Sequence, residues 1–139
     1  MSYLLDTNVL SELRRKAPDP QVVRWFSHRS AGAMYLSVLT LGEIRKGVDN
    51  LAKSAHRQRL SHWLEVDLPT YFSGRILGVD AAVADRWGQL LASAGRPLPA
   101  IDSLLLATAM QHGLTLVTRN LRDVVNLGAE VVNPWLAEP

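Results

Sequence analysis

The 139-residue sequence contains no cysteine. That absence excludes disulfides, thiolate metal sites, CxxC redox chemistry and a cysteine nucleophile together. No apolar run approaches the roughly 18 residues that a membrane helix needs. No basic segment precedes Asp6, so no secretory leader is expected and a cytoplasmic protein is the default. Glycine-rich phosphate loops and dinucleotide fingerprints are also missing, and Gly42 and Gly47 stand isolated. The four histidines, His28, His56, His62 and His112, form no HExxH-like metal pattern and read as surface or partly buried residues.

What is present suits one compact domain over residues 1–139, with 47% apolar residues and enough length for a real core. The net charge of +2 conceals an asymmetry. Through Trp63, ten basic residues face five acidic ones, a formal +5; from Leu64 onward five face eight, a formal −3. The basic N-terminal half points either to an anionic partner or to solvated helix faces.

Tyr3-Leu4-Leu5 reads as a buried strand that Asp6-Thr7-Asn8 converts into a helix start, and Arg14-Arg15-Lys16 suits the end of that helix. Asp19-Pro20 is an N-cap followed by proline at the first helical position. Residues 34–38 form the second predicted strand, and Thr40-Leu41-Gly42-Glu43 has capping-box spacing for the next helix. A helix is expected from Arg57 to Leu68, and a short strand at residues 75–79. Asp80 caps another helix, in which Val83, Trp87, Leu90 and Leu91 form the apolar stripe and Gly95 the stop. After Leu98-Pro99-Ala100, an apolar helix beginning at Ile101 or Asp102 ends at Gly113. Strands follow at residues 114–118 and 130–132. Alternating strands and helices predict an α/β fold, a mainly parallel sheet with helices on both faces and more helix than strand.

Ligands of open parallel sheets bind beyond the carboxyl ends of the strands. Four acids are predicted to arrive there: Asp6 after the first strand, Glu43 in the first turn after the second, Asp102 opening its helix and Asp123 in the last loop. Each has a plainer role available. Asp102 suits a helix dipole, Glu43 a capping box and Asp123 a turn, whereas Asp6 is the costliest to leave buried without a partner. If they converge, their mutual repulsion calls for a cation, and an all-oxygen donor set suits Mg²⁺ or Mn²⁺. Such a site activates water for phosphodiester hydrolysis.

Leu4-Leu5-Asp6-Thr7-Asn8-Val9-Leu10 with Ser11-Glu12 resembles the opening of PIN-domain proteins, in particular VapC-type toxins of bacterial type II toxin–antitoxin pairs. Three further segments follow in the family's order. Residues 37–47 resemble the one supplying its glutamate, residues 102–109 its third acidic segment and residues 116–123 its last. The resemblance spans nearly the whole chain. It implies a three-layer α/β/α domain with a mainly parallel sheet of four or five strands, and a Mg²⁺- or Mn²⁺-dependent endoribonuclease leaving 5′-phosphate and 3′-hydroxyl ends. Carried onto this sequence, Asp6, Glu43 and Asp102 are the main acidic residues and metal ligands, with Asp123 completing the site. Thr7 orients the site or contacts a phosphate, and Thr118 and Asn120 organise the final loop.

Many relatives carry an acid where Asn120 stands, and asparagine adds no negative charge. Asp123 is left to meet the metal directly or through water, and the expectation of a second metal is weakened. The resemblance further implies an RNA substrate, a cognate VapB-like antitoxin, a homodimer, and a larger assembly that binds operator DNA through the antitoxin, with no membrane. Arg14, Arg15, Lys16, Arg45, Lys46 and Arg119 are candidate contacts to phosphate or antitoxin, and Trp25, Phe26, Trp63 and Trp87 are core or partner-facing aromatics. The rival readings are a non-catalytic binding module on the same fold, and a DNA nuclease or phosphatase using the same carboxylates.

Overall fold

A computed structural model describes residues 1–136. Five strands, β1 (Tyr3–Leu5), β2 (Met34–Ser37), β3 (Ile76–Leu77), β4 (Thr115–Val117) and β5 (Val131–Val132), form one sheet in the order β3-β2-β1-β4-β5. Every pairing is parallel; Tyr3 lies opposite Met34 on one side and Thr115 on the other. Successive strand side chains point to opposite faces, which gives the sheet two cores. Tyr3, Leu5, Met34, Leu36 and Val117 join one apolar cluster, while Leu4, Leu116 and the partly buried Tyr35 join the other. Apolar residues on both faces are what a parallel sheet covered by helices on both sides requires.

The first core is roofed by α1 (Thr7–Arg14), α2 (Pro20–Ser27), α3 (Val38–Asp49), α4 (Ala55–His62) and α5 (Leu68–Tyr71). The second lies under α6 (Ala81–Ser93) and α7 (Ala100–His112), which pack on each other. The result is a three-layer α/β/α domain. Among the described residues no helix is long and apolar enough to cross a membrane.

Three local expectations change. The second strand ends at Ser37, whose hydroxyl accepts the Leu39 N–H at 3.0 Å and caps α3 directly. The capping box expected at Thr40 therefore does not exist. Thr40 is buried within the helix with its hydroxyl unpartnered, and Glu43 sits in the second turn rather than the first. The helix expected over residues 57–68 is longer, running from Ala55 to Tyr71 with a π-helical turn at Trp63–Asp67. There the Leu68 N–H reaches the Trp63 carbonyl, and the widened turn lies directly before Pro69, whose ring would clash in a regular α-turn. Finally, α7 begins at Ala100, without a side-chain cap, so Asp102 lies in its first turn rather than at its opening.

Candidate active site

The connections fix the site, because β1, β2 and β4 all run the same way and each hands the chain over at the same edge. Asp6 follows β1 and caps α1, its Oδ1 accepting the Thr7 N–H at 2.6 Å. Thr118 follows β4, neighbour of β1, and its hydroxyl donates to Asp6 Oδ2 at 2.7 Å. The same hydroxyl accepts the Asn120 N–H at 3.1 Å and the Asn8 side-chain amide at 3.3 Å. Asn8 also donates to Asp6 Oδ2 at 3.4 Å and accepts the Arg119 N–H at 3.3 Å. These bonds fasten the β1–α1 junction to the loop after β4.

Glu43 projects from α3 toward α1, where it accepts the Thr7 hydroxyl at 2.6 Å. Asp102 enters from α7 and accepts from the Asn120 amide at 3.1 Å. That amide also donates to Asp123 Oδ2 at 2.7 Å, so one neutral side chain bridges two carboxylates.

Asp6, Glu43 and Asp102 line one open cavity of about 480 Å³, together with Thr7, Asn8, Asn120, Arg15, Arg119 and Trp135. Asp123 does not line it and reaches it through Asn120. Thus the structure brings three of the four expected acids together and sets the fourth behind an asparagine. Among the described residues no three acidic or histidine side chains already stand at metal-holding distance. Ligation would require the carboxylates to turn toward a common point.

Their electrostatics are set by burial and by one another's proximity. Burial, with Asp6 only 7% exposed, pushes its carboxyl above the ordinary 3.8, and the Asp102 and Glu43 carboxylates push the same way. The Thr118 and Thr7 hydrogen bonds oppose them. Asp102 is likewise raised, first by burial and then by Asp123 and Glu43, with the Asn120 bond opposing. An oxygen-only donor set in which the Asp6 and Asp102 carboxyls are raised by burial and neighbouring acids fits a hard divalent cation.

A pH dependence follows. A carboxyl whose folded pKa lies above its unfolded value binds more protons when folded, so stability falls as pH rises from 3.8 through the raised value. Without divalent ions, this pair is expected to lower Tm over that window. Saturating Mg²⁺ or Mn²⁺ is expected to offset the loss, because ion binding to the folded state stabilises it. Melting curves at several pH values, with and without the ion, check this.

Of the basic candidates, Arg45 is engaged by Asp49 at 3.3 Å and Glu65 at 2.6 Å, away from the cavity lining. Arg15 lines the cavity while holding the buried carboxylate of Glu12, which also accepts the Asp19 N–H at 2.9 Å and keeps its pKa low. Arg14 lies over the Trp63 ring, 5.5 Å from its centroid, between two apolar grooves of about 320 and 280 Å³ that share both residues. Trp25 is core, and Phe26, Trp63 and Trp87 pack partly buried against the cores. All four histidines are exposed. Sequence reasoning assigned no role to Asn8, Glu12 or Trp135. Asn8 was available within the Asp6-Thr7-Asn8 run, whereas Trp135 depends on where β5 delivers it.

The PIN domain model matches residues 3–125. Toxin FitB of Neisseria gonorrhoeae is 38% identical over 135 residues, covering 95% of this chain and 97% of that protein. A VapC ribonuclease of Sinorhizobium fredii is 31% identical over 135 residues, covering 95% of this chain and 96% of its own. The solved structure of FitAB bound to a DNA fragment has a TM-score of 0.92 at 35% identity, covering 99% of this chain and 98% of that one. Ordered acidic motifs, a parallel sheet that gathers them and matches over nearly the full length agree: this chain belongs to the PIN-domain family.

Proposed function

We propose that this protein is a cytoplasmic endoribonuclease toxin of a toxin–antitoxin pair, cutting RNA phosphodiester bonds with Mg²⁺ or Mn²⁺. The observation that carries the reading is the convergence of Asp6, Glu43 and Asp102 on one cavity, where burial and neighbouring acids raise the Asp6 and Asp102 carboxyls. Relatives named as VapC ribonucleases and the FitB toxin support it. Asp6 and Asp102 would hold the ion, with Glu43 binding it or orienting water. When bound, a divalent cation activates water and balances charge developing on the phosphate oxygens. Thr7 fixes one Glu43 oxygen, Thr118 and Asn8 fix Asp6, and Asn120 fixes Asp102. Asp123 acts through Asn120, by holding its amide in place. Arg15 and Arg119 flank the carboxylates and offer bidentate bonds to phosphate.

The two grooves around Arg14 and Trp63 suit an apolar segment of a VapB-like antitoxin beside the cavity. A toxin dimer joined to operator DNA through that antitoxin is the assembly in line with the solved FitAB–DNA complex.

The test is RNA cleavage by protein freed of its partner, in Mg²⁺ and in EDTA. Cleavage restored by added ion supports the reading; equal cleavage in EDTA overturns it. Within the site, Asn120→Ala is expected to reduce cleavage about tenfold, as loss of a ligand-orienting partner does. Asp102→Ala is expected to reduce it more. Initial rates on one RNA check the order, and the reverse order would show that the last loop has been assigned wrongly.

A further inference from the structure

The segment after β5 lies beyond residues 3–125, where the family model matches, yet it completes the cavity. Thr118 donates its N–H to the Val132 carbonyl at 3.0 Å, which carries Asn133 to the loop after β4. Asn133 then donates its amide to the Arg119 carbonyl at 3.5 Å and accepts the Trp135 N–H at 2.9 Å. Pro134 is buried, and the half-buried indole of Trp135 packs against the core containing Leu5 and Val117. The exposed Arg119 lies over that indole, its guanidinium carbon 5.0 Å from the ring centroid. Both side chains line the cavity that holds Asp6, Glu43 and Asp102.

Filling the core edge here needs only an apolar side chain. An indole paired with a guanidinium at the lip of an acidic cavity offers something more specific. Unpaired bases stack on aromatic rings and on arginine planes, while the guanidinium also attracts the adjoining phosphate. The backbones of both are tied, Trp135 to Asn133 and Arg119 to Asn8 and Asn133, while core packing holds the indole and the ring contact orients the guanidinium, which lowers the ordering cost of binding.

We infer that Trp135 and Arg119 form a stacking subsite for an unpaired nucleobase next to the scissile phosphate. The inference rests on the ribonuclease reading above and adds the two side chains that would receive the base. Trp135 is a positioning residue for the RNA and takes no part in metal holding.

The experiment uses full-length Asp6→Asn protein, which is expected to bind RNA without turnover, and a labelled single-stranded oligoribonucleotide read by anisotropy. Adding Trp135→Leu, which keeps an apolar plug, should weaken binding about tenfold, the usual scale for one lost stack. Trp135→Phe should retain most of the affinity. Arg119→Gln, which leaves the indole in place, should also weaken binding. A duplex of the same sequence should show no dependence on Trp135, because its bases are already stacked. In the active protein, Trp135→Leu should raise KM and leave kcat near the parent value. Parent-like affinity in the Trp135→Leu protein overturns the subsite, as does an equal effect of Trp135→Leu on duplex RNA. Failure of the parent protein to cleave RNA in Mg²⁺ would instead overturn the nuclease reading, so the two failures are distinct.

Discussion

Asp6→Asn is expected to lower RNA cleavage by about two to three orders of magnitude, the scale of removing one preorganised charge-stabilising group. The fold should survive. Asparagine is as good an N-cap as aspartate, and its Oδ1 can keep the 2.6 Å bond from the Thr7 N–H that starts α1. The new side-chain amide would face the Thr118 hydroxyl, which already accepts from Asn8 and Asn120 and has now lost its own acceptor. Against that local cost stands the removal of a buried charge repelled by Asp102 and Glu43. These two effects oppose each other, so Tm without divalent ions should move little. The Tm increase produced by Mn²⁺ should shrink sharply, because one principal ligand is gone. Initial rates and paired melting curves separate the outcomes. Parent-like cleavage with a parent-like Mn²⁺ response would remove Asp6 from the proposed chemistry.

Asp6 was legible for a local reason: an acid that ends a three-residue apolar strand has almost nowhere to go except the carboxyl edge of the sheet. The two-sided core was legible for the same reason, since Tyr3-Leu4-Leu5 leaves no polar face for solvent. Other features required three-dimensional information. Ser37 and Thr40 are both hydroxyl residues with helical sequence after them. Local pattern alone favoured Thr40 with Glu43, whereas the strand's actual end placed Ser37 at the cap. The placement of Trp135 arises from the pairing of Val117 with Val132, which brings the segment after β5 to the site. Asn120 stood out as a departure from the acidic pattern. Its amide, bridging Asp102 and Asp123, became visible only when α7 and the last loop were brought together.

Charge followed the same division. The excess of basic residues before Trp63 is a property of the sequence, but much of it is locally engaged, as with Arg45 on Asp49 and Glu65. The cations lining the acidic cavity are Arg15, from that half, and Arg119, from the net acidic half. Their value for RNA lies in position rather than in the whole-chain sum. Arg15 is anchored by Glu12 and Arg119 by backbone bonds to Asn8 and Asn133. Each therefore presents a guanidinium from a fixed base beside carboxylates that would otherwise repel a phosphate.

Thr118→Val should reduce cleavage about tenfold to hundredfold, as expected when a partner that orients a metal ligand is removed. Thr118 is only 1% exposed, and its hydroxyl donates to Asp6 while accepting from Asn8 and Asn120. Valine fills nearly the same space but deletes all three bonds and leaves the Asn120 N–H without its acceptor, at a cost of about 1–3 kcal/mol for a buried polar group. The chemistry should change in a way that simple destabilisation would not produce. The Thr118 bond holds the Asp6 carboxyl down against burial and its acidic neighbours. Without it, Asp6 should ionise at higher pH. Because ion holding needs the carboxylate, the acid limb of the pH–rate profile should move upward. Thr118→Ser keeps the hydroxyl and should retain the parent profile, even if the lost methyl lowers Tm. A valine variant with reduced Tm and an unmoved acid limb would make Thr118 a packing residue alone. An upward limb restored by serine would establish that Thr118, the residue after β4, sets the charge state of Asp6.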